Sequence, residues 1–215
     1  MATEPSQIEP AVTTDLGRVG DYVLLQRIGA GGLAEVFRAR RSGPDGFQKI
    51  VVVKTILPAY ASNEAFVDML IKEAKVSAAL HHSNLVQVYD LGTEEGRPFI
   101  AMEYVEGLDL LQLLKECARK KVRLPVELVL YIIAEVAKGL DYAHHARNDE
   151  GQLLNIIHRD ISPSNVLLSR EGEVKITDFG VARFSVERGP VTRAGVLKGK
   201  MGYMSPEQVK GGLFD

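Results

Sequence analysis

His158-Arg159-Asp160-Ile161-Ser162-Pro163-Ser164-Asn165 leads into Val166-Leu167-Leu168, and Val174-Lys175-Ile176 follows, ending in Thr177-Asp178-Phe179-Gly180. The two short apolar runs have strand length and are separated by the turn-forming Ser169-Arg170-Glu171-Gly172. This pattern predicts a hairpin, with Asp160 and Asn165 leading into its first strand and Asp178 just beyond its second. Three short oxygen-bearing side chains then converge at one end of an apolar ribbon. Such a set suits holding Mg2+, which prefers carboxylate and amide oxygens together with phosphate, and orienting a hydroxyl for attack. Isolated Asp and Asn residues also punctuate ordinary turns, so the pattern needs support from the rest of the chain.

Working outward, Lys49 to Leu57 reads Lys-Ile-Val-Val-Val-Lys-Thr-Ile-Leu, a strand with a lysine in its apolar middle. Alternation puts Val52, Lys54 and Ile56 on one face. An ammonium there must snorkel at an edge or be paired, because burying it alone is costly. Glu64 to Leu80 has helical spacing, with Phe66, Leu70, Ser77 and Leu80 on one face. At about 100° per residue Glu73 falls in the middle of that face. Two unrelated surface charges would not be placed so. We read Lys54 and Glu73 as a pair.

Upstream, Asp21 to Ile28 reads as a strand, and Gly29-Ala30-Gly31-Gly32-Leu33-Ala34 as a glycine-dense turn before Glu35 to Arg40. Such a hairpin lets backbone lie close to a ligand, although many hairpins use glycine without binding anything. Val36-Phe37 continues as strand, which excludes the helix that follows the glycines of a dinucleotide-binding fold or a P-loop. Leu85 to Leu91 and Pro98 to Tyr104 add two strands, for a small lobe of five. Asp109 to about Arg119 and Pro125 to about His145 read as helices, with Pro125 in the first turn of the second. His81 and His82 are adjacent and lack accompanying ligands, so capping or packing suits them better than metal. Asn148 to Asn155 is a polar surface insertion.

Composition narrows the class. The chain has 215 residues, 46% hydrophobic and 25% charged, as in ordinary globular proteins. Lys and Arg total 26 against 28 Asp and Glu, which predicts no general affinity for nucleic acid or acidic lipid. Cys117 is the only cysteine and fits a reducing, cytoplasmic setting as a small helical hydrophobe. The best apolar run, Leu128 to Ala137, is broken by Glu135, so no membrane contact is expected within this chain. Residues 1 to 20, with Pro5, Pro10 and no aromatics, read as a disordered lead-in. Oligomeric state is not legible.

The ordered set of glycine loop, strand lysine, helix glutamate, His-Arg-Asp with Asn five residues on, and Asp-Phe-Gly resembles the eukaryotic-type protein kinases, most of all the bacterial serine/threonine type. Met204-Ser205-Pro206-Glu207 resembles the Ala-Pro-Glu that closes their activation segment. The resemblance covers about residues 21 to 210. It implies an α+β, bilobal fold: a five-stranded antiparallel N-lobe over about 21–105 and an incomplete, mainly helical C-lobe over about 106–215. It also implies ATP and Mg2+ as cofactors, a protein substrate and a signalling role.

Residue by residue, the resemblance implies that Ile28, Gly29, Ala30, Gly31 and Gly32 cover the nucleotide, with Ala34 where a third glycine is usual. Val36, Val52 and Leu167 would sandwich adenine, Val52 replacing a more usual alanine. Met102 would guard the pocket, the backbones of Glu103 and Val105 would bond the adenine edge, and Asp109 would face the ribose. Taken alone, the Phe99–Gly107 segment is no more than strand plus loop. Lys54, oriented by Glu73, would hold the α- and β-phosphates, Asn165 and Asp178 would bind Mg2+, and Asp160 would accept the substrate proton.

Two departures stand out. Ser162 occupies the place of a lysine two residues after the catalytic Asp, and Lys200 the place of a threonine before the Ala-Pro-Glu motif. The expectation is that they have exchanged roles, Lys200 supplying the ammonium and Ser162 the hydroxyl. Arg159 precedes the catalytic Asp, an arrangement that in kinases often pairs with a phosphorylated activation loop. Thr192 is favoured over Ser185 as a phosphosite, near Arg183, Arg188 and Arg193. Kinases continue with further helices after this motif, including a partner for the position of Glu207. The chain therefore reads as the first two-thirds of a catalytic domain, whose helix Pro125–His145 would show apolar surface. The alternative is a non-catalytic nucleotide-binding or interaction module.

Overall fold

The computed structural model describes residues 16–31, 33–179 and 201–209. Gly32, Lys200, Ser185 and Thr192 lie outside the described residues, and so do Arg183, Arg188 and Arg193. The first lobe is a six-stranded antiparallel sheet in the order β1-β2-β3-β4-β6-β5. Its strands are β1 (Arg18–Val19), β2 (Tyr22–Ala30), β3 (Ala34–Ser42), β4 (Gln48–Ile56), β5 (Val88–Glu94) and β6 (Arg97–Glu103). The five expected strands are all present. The sixth, β1, pairs Arg18 with Val23 and starts ahead of the expected Asp21.

Period-two alternation builds two cores on this sheet. Val51 and Val53 of β4 pack with Tyr22, Leu24, Ala39 and Phe99 on one face. Val52 and Ile56 pack on the other with Leu70 and Ala74 of α1 (Glu64–Ala78). Burying a side chain of this size contributes about 1.5–3 kcal/mol, so the two faces together fix the register of β4. Asn63 caps α1 by accepting from the Ala65 amide at 3.1 Å.

The second lobe carries α2 (Leu110–Lys120), α3 (Val126–His145) and a three-stranded sheet of β7 (Gly107–Asp109), β8 (Val166–Ser169) and β9 (Val174–Ile176). The expected hairpin is β8–β9, with Val166 opposite Ile176. Strand β7 was not foreseen; it lays Gly107 against Ser169. A Cβ at Gly107 would run into the carbonyl oxygen of Leu168, so only glycine allows this approach. Pro125 is the cap of α3 rather than part of its first turn, with extended dihedrals.

Helix α3 buries Ile132, Gly139 and Ala143 and leaves Val126, Leu130 and Ile133 exposed, the apolar surface expected for this helix. No helix among the described residues is long and apolar enough to cross a membrane.

The lobes are joined by backbone as well as by the chain connection. Leu85 and Ile176 form a parallel bridge, with the Val86 amide donating to the Ile176 carbonyl at 2.9 Å and the Ile176 amide to Asn84 at 2.8 Å. Asn84, almost fully buried, donates its side-chain amide to Glu135 Oε2 at 2.8 Å and to the Val174 carbonyl at 2.9 Å. His82 stacks on Tyr142 and accepts from the Asn84 amide at 3.1 Å, a packing and capping role as expected.

Candidate active site

Three elements converge on one ammonium. Strand β4 carries Lys54 on the face that meets α1, α1 turns Glu73 toward it, and the chain leaving β9 brings Asp178 from the other lobe. Lys54 Nζ lies 2.6 Å from Glu73 Oε1 and 2.9 Å from Asp178 Oδ1. Burial alone would lower the pKa of Lys54; the carboxylates of Asp178 and Glu73 outweigh it and hold the ammonium above its ordinary range. Burial holds the Glu73 carboxyl above the usual carboxylate range, even against the pull of Lys54. Asp178 is about half exposed, so it opens the cluster to the cleft.

The segment before β8 is stitched to the segment after β9. His158 is buried, accepts from the Asp160 amide through Nδ1 at 3.3 Å and meets the Thr177 carbonyl through Nε2 at 3.1 Å. That pattern assigns its proton to Nε2. The ring packs against Phe179, centroids 4.6 Å apart. The Thr177 amide donates to the Asn165 carbonyl at 3.0 Å. Asn165 in turn donates its amide to Asp160, at 2.8 Å to the carbonyl and 3.0 Å to Oδ2. Its own Oδ1 lies 3.4 Å from the Ser164 hydroxyl, on the side not used by Asp160. Arg159 and Asp178 both adopt left-handed backbone, with φ of 63° and 57°.

The sequence-predicted apolar set is also brought together. Val36, Val52, Met102, Val105 and Leu167 belong to one cluster that spans both lobes. Ile28 is not part of it and is exposed on β2. Gly29 pairs with Val36 and Ala30 with Glu35, and the Gly31 amide closes the turn onto Ala34 at 2.8 Å. The Glu103 amide is engaged by the Gln87 carbonyl at 2.8 Å, so this N–H is spent within the fold. Asp109 caps α2, accepting from the Gln112 amide at 2.8 Å, a role besides the one the resemblance implies for it.

Sequence reasoning missed one contact from the far side of the site. Ser205 and Gln208 form a reciprocal cap on the one-turn helix Pro206–Val209, and Gln208 Nε2 donates to the Arg159 carbonyl at 2.9 Å. The Ser-x-x-Gln spacing was the available signal. Ser162 is buried with its hydroxyl 3.0 Å from that of Ser164.

His158 gives the site a pH signature. Burial lowers its pKa below the ordinary imidazole value, so the unfolded chain binds the proton more readily. Its contribution to stability is present above about pH 6.5 and is lost as pH falls through the folded value. Urea denaturation between pH 7 and pH 5 is expected to show a fall in stability that His158→Gln flattens.

Fold and cleft together define the two-lobed, eukaryotic-type kinase class. The chain belongs to the protein kinase domain family, whose model matches residues 22–213. It is 45% identical over 196 residues to the tyrosine-protein kinase MasK of Myxococcus xanthus, covering 91% of this chain and 30% of that protein. It is 34% identical over 194 residues to the serine/threonine-protein kinase PrkC of Bacillus subtilis, covering 90% of this chain and 28% of PrkC. The chain thus spans less than a third of either relative. Among solved structures, the PknI kinase domain of Mycobacterium tuberculosis superimposes with a TM-score of 0.66 at 29% identity. That match covers 94% of this chain and 70% of the solved one.

Proposed function

We propose that the protein is an ATP-dependent kinase that transfers the γ-phosphate to serine or threonine hydroxyls of a protein substrate. The observation that carries this reading is the Lys54 ammonium held between Glu73 and Asp178 at 2.6 and 2.9 Å. Two carboxylates and one cation from three separate elements form a charged floor beside the apolar cluster of Val36, Val52 and Leu167. A nucleotide needs both: an apolar slot for its base and fixed charge for its phosphates.

The donor chemistry fits Mg2+. Among the described residues no cluster of three or more His, Cys, Asp or Glu side chains could hold a metal on its own. Mg2+ does not need one, because it takes one or two protein oxygens and completes its shell with phosphate and water. Asp178 and the Oδ1 of Asn165 are the residues that would hold it. When bound, the ion would offset charge on the transferred group.

The chain's own residues account for the rest. Lys54, fixed by Glu73, binds the α- and β-phosphates. Asp160, whose carboxylate is oriented by Asn165, accepts the proton of the substrate hydroxyl. That oxygen bonds to the γ-phosphorus as the bond from phosphorus to the ADP oxygen breaks. Little covalent chemistry is asked of the protein, and positioning supplies most of the rate.

Lys200 is proposed to stand in for the lysine that Ser162 replaces. An ion pair at 4 Å with an effective dielectric near 20 is worth about 4 kcal/mol before desolvation. Lys200→Ala is therefore expected to lower transfer about 100-fold, more than Lys198→Ala. Unchanged transfer would remove the exchange from the mechanism.

A second reading concerns the acceptor: 45% identity to a protein named as a tyrosine kinase favours phosphotyrosine. Labelled γ-phosphate followed by phosphoamino-acid analysis tests both. Label in phosphoserine or phosphothreonine is the expected result, and label in phosphotyrosine alone would replace it. Nucleotide binding with no transfer at all would favour a binding module instead.

A further inference from the structure

Met102 and Glu103 are neighbours at the end of β6, so their side chains leave on opposite faces. Met102 joins the apolar cluster of the cleft. Glu103 reaches the other way, where its Oε1 lies 2.9 Å from the ammonium of Lys175, a residue of β9. The pair is well enclosed, with side-chain exposures of 22% for Glu103 and 10% for Lys175. The second oxygen is used too, Oε2 accepting from the Gln87 amide at 3.2 Å, while the Glu103 amide returns to the Gln87 carbonyl at 2.8 Å.

One carboxylate therefore fastens three stretches of chain side by side. On its own strand it stands one residue after Met102 and two before Val105, in the segment whose backbone faces the base in the reading above. Through Gln87 it grips the connection that bridges the lobes, where Val86 and Asn84 exchange backbone hydrogen bonds with Ile176. Through Lys175 it grips the strand that delivers Asp178 three residues later.

A buried ion pair is a poor source of net stability, since well-packed apolar residues of the same volume often hold two strands as well or better. What this pair adds is attachment to two segments at once. Here both oxygens of the carboxylate are engaged, Oε1 by Lys175 and Oε2 by the Gln87 amide, so its position is tied to both neighbouring segments.

We propose that Glu103 and Lys175 are positioning residues that lock the base-binding end of β6 to β9, setting where adenine sits relative to Asp178. The inference rests on the nucleotide-binding reading of the cleft and adds side chains that touch no substrate. Because the lock acts at the base end, its loss weakens adenosine and ATP alike. Loss of Lys54, at the phosphate end, would weaken ATP alone.

The test is calorimetric binding of adenosine and of Mg-ATP to the purified protein and to Lys175→Met, Glu103→Met, the double Met variant and Lys175→Arg. Both single variants and the double variant are expected to bind each ligand about tenfold more weakly, with Lys175→Arg close to wild type. The double variant buries no lone charge and serves if a single variant does not fold. Wild-type adenosine affinity in the folded double variant would overturn the proposal by showing that packing suffices. So would a loss confined to ATP. If the wild-type protein bound neither ligand, the nucleotide-site reading itself would fall and the inference with it.

Discussion

Asp160→Asn is expected to lower phosphate transfer about 1,000-fold while leaving nucleotide affinity unchanged. The substitution keeps the shape of the side chain and an oxygen for Asn165, whose amide now reaches Asp160 Oδ2 at 3.0 Å. It also leaves the amide of residue 160 available to His158 Nδ1. What it removes is the negative charge that accepts a proton. The loss should therefore fall on kcat, with little change in the KM for nucleotide. Transfer retained to within tenfold of wild type would mean that another group takes the proton. Reduced nucleotide binding would mean that Asp160 belongs to the binding surface and not to the chemical step.

The second large effect is expected at Lys54. Lys54→Met preserves length and apolar volume but removes the cation between Glu73 and Asp178. Losing one preorganised donor of this kind costs about 100- to 1,000-fold in transfer. The change should also alter stability in a way a simple active-site variant would not. Burial already holds the Glu73 carboxyl above its ordinary range, with Lys54 as the chief opposing influence. Without the lysine, the folded pKa of Glu73 rises further while the unfolded value stays near 4.5. A raised carboxyl contributes stability that is full below the unfolded pKa and is lost as pH rises through the folded one. Urea denaturation of Lys54→Met from pH 4.5 to pH 8 is thus expected to show declining stability, and adding Glu73→Gln should flatten it. A flat profile in Lys54→Met alone would mean that Glu73 is not desolvated as described.

Part of this site could be read from the sequence, because Lys54 and Glu73 sit where local pattern makes a charge awkward, whereas Asp160 and Asp178 sit where acidic residues also punctuate turns. Lys54 interrupts an apolar strand and Glu73 falls on an apolar helical face, so each points to the other from the sequence. The β8–β9 hairpin was equally legible from two strand runs around Ser-Arg-Glu-Gly. What stayed hidden lacks periodicity or depends on distant chain. Strand β7 is three residues long and is made a strand by β8, some 60 residues on. Strand β1 has two residues. Neither length can show alternation.

Side chains whose roles depend on the fold were hidden too. Asn84 follows a helix end, where Asn is ordinary turn chemistry, yet it is a buried amide that joins α3 to β9. The clue was Glu135, which breaks an otherwise apolar run and needed a polar partner. Glu103 was singled out for its backbone alone, since nothing in the order of residues announces that its carboxylate meets Lys175, 72 positions later. Asp109 shows the reverse: its N-cap role is the local reading, and the resemblance drew attention past it.

The left-handed backbone at Arg159 and Asp178 carries a consequence for how this sequence can drift. Such a conformation costs about 1–2 kcal/mol in a residue with a Cβ, and glycine would relieve it at either position. At 178 that relief would be offset, because Asp178 is one of the two carboxylates that compensate the burial of the Lys54 ammonium. Both side chains are present, one in the segment before β8 and one in the segment after β9, beside Lys54, Asp160 and Asn165. Decay of the activity in a descendant should accordingly be visible as glycine at 159 before it is visible at 178.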